Sequence, residues 1–117
     1  MLSFNGNLKV YVALDPCDMR KSFDGLSAQV REVLRADPLS GAAFLFSNRR
    51  RTLIKILYWD GTGLIVVSKR LERGTYSWPK DIQGRREKLV IKPAALAMLT
   101  EGIDLRDGFQ RPWYERS

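Results

Sequence analysis

The sequence predicts a single small domain of the α/β class (α+β type), with a mainly antiparallel sheet of about five strands and two packed helices. Short apolar runs rich in β-branched and aromatic residues recur along the chain, and such residues suit strands. Between two of these runs, apolar residues repeat at the spacing of an amphipathic helix. The chain has 117 residues, which is enough for one domain to bury a core without disulfides or a structural metal.

The N-terminal third predicts a strand followed by the longer helix. Leu8 to Leu14 predicts the strand, and Asp15-Pro16-Cys17-Asp18 predicts the start of the helix, because proline fits the first helical turn. Either aspartate can accept the unpaired N–H groups there. The predicted helix runs from Met19 to Arg35, with Gly25 packed closely against the sheet, and Asp37-Pro38 ends it. Its apolar positions are Met19, Phe23, Leu26, Val30, Val33 and Leu34.

The middle of the chain predicts a second strand and a hairpin. Ala42 to Phe46 is the strand, and a polar loop from Ser47 to Thr52 follows it. Leu53–Trp59 and Leu64–Val67 are the hairpin strands, and Asp60-Gly61-Thr62-Gly63 between them supplies turn residues. Neither hairpin strand alternates cleanly between apolar and polar residues. We therefore expect a central hairpin that is covered on both faces.

The C-terminal part predicts a last strand and the second helix. Leu89 to Ile91 is the strand, and Pro93 begins a helix that ends at Gly102, a residue suited to the left-handed conformation after a helix. Ile103 is expected to make the apolar contact that accompanies such an ending. We place the globular domain at residues 1–105 and expect residues 106–117 to be a mobile tail.

Positive charge is concentrated in the middle of the chain. The net charge is +7, and the span 49–92 holds twelve basic and four acidic residues, so this span alone carries +8. A concentrated basic field attracts polyanions, and nucleic acid first among them. Trp78 lies between charged segments, so two roles are possible for it, stacking on bases or packing in the core. Trp59 is expected in the core. The candidate nucleic-acid-binding residues are Arg49, Arg50, Arg51, Lys69, Arg70, Arg73, Trp78, Arg85 and Arg86.

Composition excludes several classes of site. The chain has no histidine and one cysteine, so histidine-based catalysis and Cys/His zinc sites are excluded. It also lacks the glycine-rich phosphate-binding motifs, and we expect no cofactor. The single Cys17, the absence of a signal peptide and the absence of an apolar run of bilayer length predict a cytoplasmic protein with no membrane partner.

Carboxylates leave one catalytic alternative open. Several converging carboxylates make a two-metal nuclease site, but each candidate here also has a structural interpretation. Asp15 and Asp18 suit helix caps, Asp60 suits a turn, and Glu101 lies beside the end of the second helix. A metal-dependent nuclease is therefore the third-ranked interpretation, and no catalytic residue is predicted.

Five blocks of residues resemble one known family. They are DMRKSFDGL (18–26), DPLSG (37–41), YWDGTGL (58–64), KRLERGTYSWP (69–79) and EGID (101–104). In this order and spacing they are similar to the TnpB, or Orf2-like, protein of the insertion-sequence family numbered sixty-six, over about residues 8 to 105. Lys92 and Leu105 depart from the pattern, because the family often has Ser or Thr before the helix proline and an aromatic residue after Ile-Asp.

The resemblance implies an accessory protein of DNA transposition that is encoded beside a separate, catalytic transposase. It supplies no catalytic residues. Two functions rank above the nuclease at this point. The first is binding of DNA phosphates through the basic loop and the 69–73 segment, without catalysis. The second is a protein–protein adaptor for the transposase, in which the basic surface or the Trp113-Tyr114 tail meets an acidic partner.

Overall fold

The computed structural model describes residues 8–80 and 87–100. The described elements in chain order are β1 (Val10–Ala13), α1 (Phe23–Glu32), β2 (Ala43–Ser47), β3 (Leu53–Trp59), β4 (Leu64–Arg70), β5 (Lys88–Ile91) and α2 (Pro93–Thr100). The strands form one five-stranded sheet in the order β4-β3-β2-β1-β5. Strands β1 and β2 are parallel and the other neighbours are antiparallel, which confirms the predicted α+β fold.

Helix α1 covers one face of the sheet, called the α1 face below. Its buried apolar side chains are Leu26 and Val30, and they lie in one cluster with Leu34, which follows the helix, and with Phe44 and Phe46 of β2. Side chains four positions apart share one face of a helix, so Leu26 and Val30 meet the sheet together. Burial of each such side chain contributes about 2 kcal/mol. The helix also connects β1 to the parallel strand β2, which requires such a crossover.

Helix α2 and the segment 71–79 cover the opposite face, called the α2 face. Leu96 and Leu99 of α2 are buried in a cluster with Val12 of β1 and Leu45 of β2. Trp78 belongs to the same cluster. The second helix therefore lies on the face opposite α1. Among the described helices, none is long and apolar enough to cross a membrane.

The hairpin is confirmed, but its predicted central position in the sheet is wrong. Strand β4 is the outermost strand, and it pairs with β3 alone among the described strands. Its apolar residues lie on both faces because each face has a cover: Val66 packs against the α1-face cluster and Val67 against the α2-face cluster. The apolar run of β4 correctly indicates that both faces of this strand are covered. It does not indicate a central position, because an edge strand can also be covered on both faces. Asp60 closes the turn by accepting hydrogen bonds from the Thr62 and Gly63 N–H groups, at 2.8 and 3.0 Å.

Helix α1 is shorter than predicted. It begins at Phe23 after Ser22, whose side chain makes no capping hydrogen bond, and it ends at Glu32. Asp18 does not cap it; its carboxylate instead accepts the Arg20 N–H at 3.0 Å and pairs with the Arg20 guanidinium at 2.8 Å. The predicted apolar stripe is also narrower, since Phe23 is 48% and Val33 is 36% exposed.

The expected role of Gly25 is also wrong. A Cβ atom at Gly25 would lie 3.0 Å from the Cβ and Cγ atoms of Lys21, so the close approach is to the preceding turn and not to the sheet. The predicted helix end at Gly102, the Ile103 contact, Leu105, Glu101 and the tail 106–117 lie outside the described residues.

Candidate nucleic-acid interface

The loop between β2 and β3 is shaped by one asparagine. The Asn48 Oδ1 atom accepts the N–H groups of Thr52 at 2.9 Å and Leu53 at 3.1 Å, and its Nδ2 atom donates to the Thr52 Oγ1 atom at 2.9 Å. These bonds close the loop over two arginines, Arg49 and Arg50, which are both exposed at its tip. The loop therefore presents two guanidinium groups from a backbone that hydrogen bonds hold in place.

The end of β4 lies beside this loop. Arg70 pairs with Leu53 and Lys69 with Ile54, and the Leu71 N–H donates to the Thr52 carbonyl at 2.9 Å. Successive strand residues point to opposite faces of a sheet, so the exposed Lys69 lies on the α2 face and the exposed Arg70 on the α1 face. The two cations thus flank the sheet edge from both sides.

The segment after β4 returns to the loop. The Tyr76 N–H donates to the Arg51 carbonyl at 2.7 Å, and the Tyr76 hydroxyl donates to the Lys69 carbonyl at 3.2 Å. Between these anchors, Arg73 is exposed just before Gly74, whose φ is 72°. This end of the sheet, called the basic end, therefore presents exposed cations from three pieces of chain: the loop after β2, the end of β4 and the segment after β4. These cations are Arg49, Arg50, Lys69, Arg70 and Arg73.

Arg51 differs from its two neighbours because its side chain turns inward. Its Nη2 atom donates to the Leu14 carbonyl at 2.9 Å, and its Cζ atom lies 5.2 Å from the centroid of the Trp78 ring. Its Nη1 atom is buried without a partner among the described residues. Burial lowers the pKa of the Arg51 guanidinium, and the charge of Asp15 opposes this shift. The group ties the loop to the end of β1 and to Trp78, so its main contacts are internal.

We expect Arg51→Ala to lower the free energy of unfolding by about 2 kcal/mol, because it removes a charged hydrogen bond and a cation–π contact. Arg50→Ala, the matched change at the adjacent exposed position, is expected to stay within about 0.5 kcal/mol. Urea unfolding followed by far-ultraviolet circular dichroism measures both values. Equal losses for the two variants would contradict the internal role of Arg51.

Trp78 lies in the core and not on the basic end. Its side chain is 8% exposed, and its Nε1 atom donates to the Ala13 carbonyl at 2.8 Å. Stacking on a base requires an accessible ring face, and this ring has Arg51 on one side and belongs to the α2-face cluster. We therefore leave Trp78 and Arg51 out of the proposed contact surface. Trp59 is half-buried at the end of β3, and Arg85 and Arg86 lie outside the described residues.

Two of the described carboxylates considered as nuclease candidates, Asp18 and Asp60, have local partners. The Arg20 guanidinium, through its hydrogen bonds, lowers the pKa of Asp18 to about 2. Hydrogen bonds from Thr62 and then from Gly63 lower the pKa of Asp60. Within 8–80 and 87–100, no three Asp, Glu, Cys or His side chains lie close enough together to hold a metal ion. Burial raises the pKa of the Cys17 thiol.

Sequence reasoning missed the residues that build the basic end. The segment from Ser47 to Thr52 predicts only a polar loop, although Asn48 in it is a turn-forming residue and its position directly after a strand is a usable signal. The acceptors at Leu14 and Ala13 are backbone carbonyls. Such groups occur at every residue, and nothing in the sequence distinguishes these two.

Comparisons with known proteins place the chain beside relatives of similar length. A family model described as IS66 Orf2 like protein matches residues 8–109. The chain is 40% identical over 106 residues to the uncharacterized protein y4hO of Sinorhizobium fredii (strain NBRC 101917 / NGR234), covering 91% of this chain and 90% of the relative. It is 35% identical over 104 residues to the uncharacterized protein y4jC of the same organism, covering 89% and 86%. No solved structure gives a significant match.

Proposed function

The chain belongs to the IS66 Orf2-like family, which implies an accessory role in transposition, and from this premise we propose that it binds DNA through the basic end without catalysis of its own. The observation that supports DNA binding is the convergence of Arg49, Arg50, Lys69, Arg70 and Arg73 at one end of the sheet. None of these five forms an ion pair with another described residue. Their charges are therefore available to an external anion.

The chemistry of the basic end suits the phosphate backbone. Guanidinium groups bind phosphate oxygens in a bidentate manner, and Lys69 adds a compact point charge. The loop backbone is held by Asn48, so Arg49 and Arg50 lose less conformational freedom on binding than arginines on an unrestrained loop. Phosphate contacts position a protein on DNA but carry no sequence information, so the proposed surface supplies affinity more than sequence choice.

The direct test is fluorescence anisotropy of the purified protein with two labelled duplexes, one carrying a transposon end and one with the scrambled sequence, at low and physiological salt. We expect binding that weakens steeply with salt, because each neutralised phosphate releases counterions. If all five cations contact phosphates, the logarithm of the binding constant falls with the logarithm of salt with a slope of about −4 to −5. Absence of binding at low salt would overturn the proposal, and a preference for the transposon end would add specific recognition.

An adaptor for the transposase is the second candidate, and the edge position of β4 favours it. In this case the protein has negligible affinity for DNA alone and is retained with the transposase of the same element in co-purification. The two candidate surfaces share Lys69 and Arg70, because these residues belong both to the basic end and to β4. The anisotropy measurement and the co-purification therefore have to be made side by side.

A further inference from the structure

Among the described strands, β4 leaves an ordered row of backbone groups on its outer side without a strand partner. Hydrogen bonds from the Leu71 N–H to the Thr52 carbonyl and from the Asp60 N–H to the Gly63 carbonyl continue the β3–β4 ladder at its two ends. In an antiparallel pair, hydrogen-bonded and non-hydrogen-bonded residues alternate. The register therefore turns the backbone groups of Ile65, Val67 and Lys69 toward β3. Those that point away from β3 belong to Leu64, Val66, Ser68 and Arg70.

The side chains along this edge divide into an apolar half and a basic half. Leu64 to Val67 are half-buried, and Ser68 to Arg70 are exposed. Folded proteins usually protect an edge strand with charges, prolines or a covering segment, because open backbone groups pair with other chains. In β4 the charged residues lie at one end only, and the apolar half contains two residues, Leu64 and Val66, whose backbone groups point away from β3. The edge is therefore available to an added strand, and the positive charges of Lys69 and Arg70 favour a strand that carries acidic side chains.

We propose that the open edge of β4 binds an extended segment of a partner protein, which adds a sixth strand to the sheet. The segment carries apolar side chains opposite Leu64–Val67 and acidic side chains opposite Lys69 and Arg70. Main-chain hydrogen bonds supply affinity in this mode of recognition, and side chains supply selectivity. Charge complementarity selects an acidic segment over a second copy of this chain, because a second copy carries a net charge of +7 as well. The proposal does not depend on DNA binding.

The test uses hydrogen exchange of the full-length protein, followed residue by residue by NMR. The probe is an eight-residue peptide of four glutamates followed by four valines, which matches the basic and apolar halves of β4, and in the control peptide lysines replace the glutamates. In the free protein, the N–H groups of Val66 and Ser68 are expected to exchange freely, whereas those of Ile65 and Val67 are protected. Millimolar acidic peptide is expected to protect Val66 and Ser68 at least about tenfold, because each gains a hydrogen bond, and the basic peptide to leave them unprotected.

Ser68 offers a matched pair of variants. Its N–H points away from β3, and proline is tolerated on an edge strand at such a position. Ser68→Pro removes the outward donor and is expected to weaken binding of the acidic peptide about tenfold or more, whereas Ser68→Ala keeps the donor and the affinity. Thermal unfolding of both variants checks that the sheet is intact. If Ser68→Pro does not fold, N-methylation of the peptide at alternate residues removes the hydrogen bonds that the peptide donates to the outward carbonyl groups of β4.

Three outcomes would overturn the proposal. The first is protection of Val66 and Ser68 in the free protein, since the edge is then already covered by the chain itself or, if protection rises with concentration, by a second copy. The second is absence of protection at millimolar peptide. The third is chemical-shift change at Lys69 and Arg70 without protection, which indicates charge attraction without strand addition. The double variant Arg49→Ala/Arg50→Ala separates this proposal from the DNA-binding proposal. It is expected to lose DNA binding, whereas the acidic peptide still protects the N–H groups of Val66 and Ser68 from exchange.

Discussion

Replacing Trp78 with alanine is expected to lower the free energy of unfolding by about 3–5 kcal/mol. The side chain is 8% exposed, packs in the α2-face cluster and donates its indole N–H to the Ala13 carbonyl at 2.8 Å. Truncation leaves a cavity and an unpaired carbonyl, and it also removes the ring against which Arg51 packs. Urea unfolding followed by far-ultraviolet circular dichroism measures the loss without relying on tryptophan fluorescence.

Two further variants separate the contributions to this loss. Trp78→Phe keeps an aromatic ring and removes the N–H donor, so a loss of about 1–2 kcal/mol is expected. Trp59→Ala removes a half-buried tryptophan from the end of β3 and is expected to cost less than Trp78→Ala. Unchanged stability of Trp78→Ala together with weaker DNA binding would contradict the core assignment and favour a ring that stacks on bases.

Neutralising the basic end is expected to abolish most DNA binding. The variant carries Arg49→Gln, Arg50→Gln, Lys69→Gln, Arg70→Gln and Arg73→Gln, all at exposed positions. We expect affinity at low salt to fall at least about a hundredfold and the salt slope to become shallower by about four to five, because five phosphate contacts are lost. The loss is expected to be uniform across DNA sequences, since phosphates carry no sequence information.

A charge-matched pair of double variants controls for net charge. Arg49→Gln/Arg50→Gln and Arg31→Gln/Arg35→Gln each remove two exposed positive charges. The first pair lies in the loop after β2, and the second lies near the end of α1, before the turn that leads into β2. Only the loop pair is expected to make the salt slope shallower by about two. Equal effects of the two variants would indicate attraction by overall charge and not a defined surface.

Much of the fold is predictable from local patterns. Strand β3 has the predicted bounds, and the Asp60–Gly63 turn forms as expected, because β-branched and aromatic runs and turn residues act over a few positions. The start of α2 at Pro93 follows from the same kind of local rule. Helix ends are less predictable. Asp18 binds the nearby Arg20 instead of capping α1, and this competition between neighbouring groups is decided by side-chain geometry.

Local sequence patterns are sufficient to predict the α+β class, the hairpin and the concentration of positive charge in the middle of the chain, because each depends on residue type and short spacing. The folded chain places β4 at an edge of the sheet, turns Arg51 and Trp78 inward, and brings five exposed cations to one end of the sheet: Arg49, Arg50, Lys69, Arg70 and Arg73. These features depend on contacts between residues far apart in the chain. The bond from Arg51 to the Leu14 carbonyl spans 37 positions, and its acceptor is a backbone group that every residue has.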